Sequence, residues 1–138
     1  MTNPYIASLQ VPTDIAALQK VLAWFSTLER PDVPQTVWWQ CQSALAEGFT
    51  NAVRHAHRDQ SSETPIMIQA EIGETSVTLR VWDFGYWFNL QEAMAGLPEQ
   101  NFRTGGGRGL QILMRVADHL SYDRQDDGRN CLTVVKYF

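Results

Sequence analysis

Glu47 and Asn51 stand four residues apart in ALAEGFTNAVRHAH. On a helix that spacing puts both side chains on one face, one turn apart, where they can address a single ligand. A carboxylate can accept the proton of an attacking hydroxyl, and an amide oxygen suits a hard cation such as Mg²⁺. The same spacing also serves a surface hydrogen-bonded pair, so the two residues alone do not define a site. Gly48 between them costs a helix about 1 kcal/mol relative to Ala, which is intelligible if the helix lies close against a sheet. Asp83 ends a stretch in which Val77, Leu79 and Val81 alternate, and the period of two places its carboxylate on their inward face. There it either caps the following turn with Gly85 or, as an acceptor-only group, takes a hydrogen bond from an exocyclic amine such as that of adenine. Gly105, Gly106, Gly107, Arg108 and Gly109 lead directly into an apolar-periodic segment. Such a helix start offers free amides and a positive dipole end to an anion, although a flexible linker would have the same composition. No Lys-Ser or Lys-Thr follows, so this is not a P-loop, and no strand precedes it, so it is not a dinucleotide fingerprint.

These residues need a scaffold, and the periodicities supply one. Residues 5 to 11 suit a first strand, and Pro12, Thr13 and Asp14 then make a turn and cap before the helical stripe Ile15, Leu18, Val21, Leu22, Phe25 and Leu28. Pro31 and Pro34 separate it from a longer helix running to about His57, whose buried face is Val37, Cys41, Ala44, Leu45, Gly48 and Ala52. From Pro65 the period becomes two: Ile66, Ile68, Ala70 and Ile72 share one face, Gly73, Glu74 and Thr75 turn the chain, and Val77 to Asp83 returns as a second strand. Residues 84 to 107 carry no regular pattern, a length that usually means a functional loop. A third helix follows with Leu110, Leu113, Val116, Ala117 and Leu120 in register, and the remainder reads as two strands around Asp127 and Gly128. This order predicts an α+β fold: a two-layer sandwich with one mostly antiparallel mixed sheet and three helices on one face.

The chain has 138 residues, enough for one compact domain spanning 1–138. A hydrophobic fraction of 44% and a charged fraction of 19% are ordinary for a globular protein. The net charge of -4 argues against direct nucleic-acid binding, which needs a clustered cationic surface, but does not bear on a locally bound nucleotide. No segment is apolar enough to span a bilayer, and the opening MTNPYIASLQ lacks the basic and apolar runs of a signal peptide, so a cytoplasmic location is expected. Cys41 and Cys131 have no metal-ligand spacing and are read as reduced, packed thiols.

Taken in order, ALAEGFTNAVRHAH, VWDFGYWFNL and TGGGRGLQILMRVAD resemble the N, G1 and G2 boxes of the GHKL (histidine kinase-like) ATPase superfamily, most closely those of the bacterial anti-sigma factor serine/threonine kinases. The resemblance covers nearly the whole chain. It implies the Bergerat fold, with ATP and Mg²⁺ as cofactors. It further implies Glu47 as general base, Asn51 as magnesium ligand, Asp83 as acceptor for the adenine amino group and Gly85 beside the base. Gly105, Gly106, Gly107 and Gly109 would form the hinge and phosphate cradle of a lid, with Arg54, His55 and Arg108 as phosphate, partner or purely surface residues. In activity, it implies transfer of the γ-phosphoryl group to a serine of an antagonist protein, capture of a sigma factor or other regulatory target, and a homodimer. The alternative is a nucleotide-dependent binding module without kinase activity. One departure favours the anti-sigma subgroup: the second glycine of the DxGxG pattern is Trp87, and bulky Tyr86, Trp87 and Phe88 can reshape the base pocket.

Overall fold

The computed structural model describes residues 3–95 and 108–138, the side chain of Arg108 excepted. Strand β1 spans Tyr5–Pro12, and Asp14 then accepts a hydrogen bond from the Ala16 N–H at 2.9 Å, capping a single 3-10 turn, Ile15–Ala17. That turn leads into helix α1, Leu18–Ser26. Helix α2 spans Gln35–Asn51 and passes without a break into one π-helical turn, Ala52–Ala56. Strands β2, Pro65–Ile72, and β3, Ser76–Asp83, form the expected hairpin. After a short helix α3, Leu90–Ala95, and helix α4, Arg108–Val116, strands β4, His119–Arg124, and β5, Asn130–Tyr137, close the fold.

The sheet order is β1-β2-β3-β5-β4, and each neighbouring pair runs antiparallel. Period two does what the sequence requires: Ile66, Ile68, Ala70 and Ile72 on β2 and Val77, Leu79 and Val81 on β3 are buried beneath the helices. The opposite face is polar, with Arg80 donating to Gln69 at 2.9 Å and pairing with Glu71 at 3.4 Å. The helical layer is seated by stacked Phe25 and Trp38 rings, 4.4 Å apart between centroids, which join α1 to α2. Gly48 has the role its helix position suggested: a Cβ there would lie 3.2 Å from Leu132 Cδ2, so its absence lets α2 settle onto the sheet. Gly128 occupies the left-handed region at φ 87° in the turn between β4 and β5.

Two local expectations change. Helix α3 lies within the stretch that carries no periodic signal. It is six residues long, Leu90 is its buried residue, and Asn89 caps it by accepting from the Glu92 N–H at 3.1 Å, so too few apolar positions exist to reveal a period. Leu120, assigned to the stripe of the third helix, belongs to β4, because α4 ends at Val116 and the Asp118 N–H already donates to the Val135 carbonyl at 2.8 Å. Both cysteines are free and buried as expected, with burial raising the Cys41 thiol to about 12 and shifting Cys131 upward as well.

Candidate functional site

The end of α2, the π turn, the end of β3 and the start of α4 converge on a cavity of about 310 Å³. Asn51, His55 and Asp83 supply its polar groups, Val81 and Leu132 its sheet side, and Phe88, Leu90, Leu110, Leu113 and Tyr122 further apolar walls. A mostly apolar cleft with a few convergent polar groups suits a flat heterocycle. A neighbouring cavity of about 610 Å³ shares His55, Ala56, Phe88 and Tyr122 and adds Gly85, Tyr86 and Arg124.

Asp83 is the most constrained group here, 4% exposed. Its Oδ1 accepts from the Gly85 N–H at 2.8 Å and the Asn130 side-chain amide at 2.9 Å, and its Oδ2 accepts from the Tyr122 hydroxyl at 2.9 Å. Asn130 also donates to the Gly85 carbonyl at 2.8 Å. Both sequence readings of Asp83 are therefore compatible: it caps its own turn, and since a carboxylate offers about four acceptor positions, the three donors leave it one for a ligand amine. Burial, followed by the adjacent Asp83 charge, raises the Tyr122 pKa, so its hydroxyl stays protonated and keeps donating. Neither Tyr122 nor Asn130 was identifiable beforehand. Tyr122 follows Leu120 by two on β4, a period that marks it only as inward, and Asn130 meets Asp83 through the β3–β5 register.

Gly85 is required by close approach. A Cβ there would overlap the Ala56 carbonyl, because the π turn pushes that backbone against the turn after β3. Gly109 is closely approached at the other end, but by a side chain: a Cβ there would run into the Glu47 carboxylate, with Asn51 Oδ1 3.6 Å away. Glu47 and Asn51 thus meet the amino end of α4 together, as their spacing allowed. Among the described residues, no hydrogen bond or ion pair ties down either side chain.

The remaining predicted positions divide. His55 lines both cavities, whereas Arg54 is exposed and lines neither. Arg108 begins α4, but its side chain, with Gly105, Gly106 and Gly107, lies outside the described residues. The bulky substitution in the G1 segment does not block the cleft. The Trp87 indole N–H donates to the Tyr122 carbonyl at 2.9 Å, and the Phe88 ring packs 4.9 Å from the Tyr122 ring, forming a wall. No group of three or more His, Cys, Asp or Glu side chains fit to hold a metal occurs among the described residues. A Mg²⁺ ion commonly takes one or two protein oxygens and completes its shell with phosphates and water, and the Asn51 Oδ1 beside the amino end of α4 has the chemistry such a site would need.

Comparison with curated proteins returns no match. A family model described as the histidine kinase-like ATPase domain matches residues 11–136, from the end of β1 to the end of β5. That span contains the buried Asp83 turn, the Glu47 and Asn51 face and α4 with Gly109 in its first turn, within an antiparallel two-layer sandwich. The chain therefore belongs to the histidine kinase-like ATPase domain family.

Proposed function

We propose that the protein is an ATP-dependent serine/threonine protein kinase of the partner-switching type, phosphorylating a serine of an antagonist protein. The observation that carries this reading is the Glu47 carboxylate lying beside Gly109 at the amino end of α4, one turn from Asn51. Adenine would enter the apolar cleft with its amino group donating to Asp83, which directs the phosphates toward Asn51 and the first amides of α4. With magnesium bound, the metal supplies neutralisation of charge across the phosphates. Asn51 offers it an amide oxygen, and Glu47 accepts the proton of the serine hydroxyl. Leu110 and Leu113, with Phe88 and Leu90, keep water from the base. By resemblance, a sigma factor or another regulatory target would be captured, with the protein acting as a homodimer in the cytoplasm. No helix among the described residues is long and apolar enough to cross a membrane.

The test is transfer of labelled γ-phosphate from ATP to a candidate antagonist. Wild-type protein should yield acid-stable phosphoserine, and Glu47→Ala should lose transfer while still binding nucleotide; undiminished transfer would remove Glu47 as the base. A second reading, a nucleotide-dependent binding module without transfer, draws on the aromatic wall of Trp87 and Phe88 and on the partners that already surround Asp83. Calorimetric binding of Mg-ATP, combined with absence of transfer to every antagonist offered, would favour it.

A further inference from the structure

His57 has no part in the mechanism above, yet it is 2% exposed and uses both ring nitrogens. The Phe84 backbone N–H donates to its Nε2 at 2.8 Å, so that nitrogen carries no proton and the neutral ring has its hydrogen on Nδ1. Nδ1–H then points to Thr13 Oγ1 at 2.8 Å, and the Thr13 hydroxyl in turn donates to the Thr64 carbonyl at 2.6 Å. The chain of bonds starts in the loop after β1, passes through the residue that ends the π turn, and finishes on the backbone between Asp83 and Gly85. The π turn makes this possible: the His57 N–H bonds back five residues to the Ala52 carbonyl at 2.9 Å, and the imidazole meets the turn that follows β3.

We propose that His57 is a positioning residue for base recognition, holding the Phe84 amide and with it the Asp83–Phe84–Gly85 turn in the geometry that reads adenine, and releasing it on acidification. The proposal rests on nucleotide binding at this cavity but not on phosphotransfer. Asp83 reaches the ligand through a turn whose other bonds, from Gly85 and Asn130, hold the carboxylate; the His57 bond holds the peptide between them. A proton added to Nε2 turns that acceptor into a donor facing the Phe84 N–H, and two donors cannot share the position. The groups facing the ring are the Thr13 hydroxyl from the β1 side and, from the β3 side, the Phe84 ring at 6.3 Å between centroids and the Asp83 carboxylate. Burial lowers the imidazole pKa from its ordinary 6.5, against the opposing pull of Asp83, so the accepting form prevails at neutral pH.

The experiment measures ATP and GTP affinity calorimetrically for wild type, H57Q and H57N at about pH 7.5 and about pH 5.5, a range that brackets the ordinary histidine pKa. Gln can place its Oε1 where Nε2 sits and never takes up a proton, whereas Asn can reach Thr13 but not Phe84. H57Q should bind ATP at neutral pH within about twofold of wild type, and H57N should bind it about fivefold more weakly with a reduced preference over GTP, the worth of one ordinary hydrogen bond. On acidification wild type should lose about fivefold more affinity than H57Q. Any protonation outside position 57, that of the ligand phosphates included, is common to both proteins and cancels. Wild-type affinity and base preference in H57N, or parallel pH profiles for wild type and H57Q, would overturn the proposal. A wild-type protein that binds no nucleotide at any pH would overturn it together with the ATP-binding reading, whereas loss of phosphotransfer alone would leave the affinity comparison decisive.

Discussion

The two ends of the cavity are built differently. At the base end, Asp83 is buried with three protein donors, and His57 clamps the turn that follows it. At the end next to α4, Asn51 lines the cavity and Glu47 lies one turn before it outside the lining; both are half-buried and carry no hydrogen bond or ion pair among the described residues. A group whose partners are already in place can recognise one face of a heterocycle with little ordering cost on binding. Groups left without partners instead wait for the ligand and its metal to complete their environment. On the proposed function, selectivity would be organised in the fold and reactivity by what binds.

Breaking the base end should have the largest effect. Asp83→Ala leaves the Tyr122 hydroxyl, the Asn130 amide and the Gly85 N–H without their acceptor. We expect a loss of about 3 kcal/mol in urea denaturation together with a collapsed preference for ATP over GTP. An unchanged midpoint would mean that water replaces the carboxylate and that this end is not pre-built.

The paired glycines sharpen the contrast further. Gly85→Ala drives a methyl into the Ala56 backbone carbonyl, which cannot move without distorting the π turn, and should cost about 2 kcal/mol. Gly109→Ala meets only the end of the flexible Glu47 side chain, so thermal unfolding should stay within about 1 kcal/mol of wild type while phosphotransfer falls. Equal stability losses at both positions would erase the distinction drawn above.

At the phosphate end, Asn51→Ala should weaken Mg-ATP binding on the order of tenfold, about 1.4 kcal/mol, and Glu47→Ala much less. Loss of a metal ligand acts on the bound ground state, whereas loss of a base acts mainly on the transition state. Both variants should keep wild-type stability within about 0.5 kcal/mol. Calorimetry and denaturation on the same samples check both statements.

The smallest effect is a pH dependence of folding. The folded-state pKa of His57 lies below its unfolded value, so the unfolded chain takes up the proton first as pH falls through about 6.5. The stability contributed by the neutral ring is complete above that pH and is lost below it, down to the folded-state pKa. The urea midpoint of wild type should therefore fall relative to that of H57Q between about pH 7 and pH 5.

The amphipathic stripes were legible because burial of one face forces a period: Val37, Cys41, Ala44 and Leu45 on α2, and Ile66, Ile68, Ala70 and Ile72 on β2, are all buried as their spacing indicates. The motif residues were legible because Glu47 and Asn51 are local to one helix and Asp83 to one strand end. Helix α3 was not, because six residues around one buried leucine leave no repeat to read. Tyr122, Asn130 and His57 were not, because each acts on a partner at least 27 residues away.

The sequence by itself determined the alternation of faces, the hairpins, the Asp14 cap and the order of three motifs, since each rests on neighbours within one or two turns of chain. Tertiary structure alone decided which acceptor positions of Asp83 are taken, which glycine abuts backbone and which abuts a side chain, and that a π turn carries His57 to Phe84. These depend on strand register and on how closely α2 and α4 settle against the sheet, quantities set by packing across the whole domain rather than by any local preference.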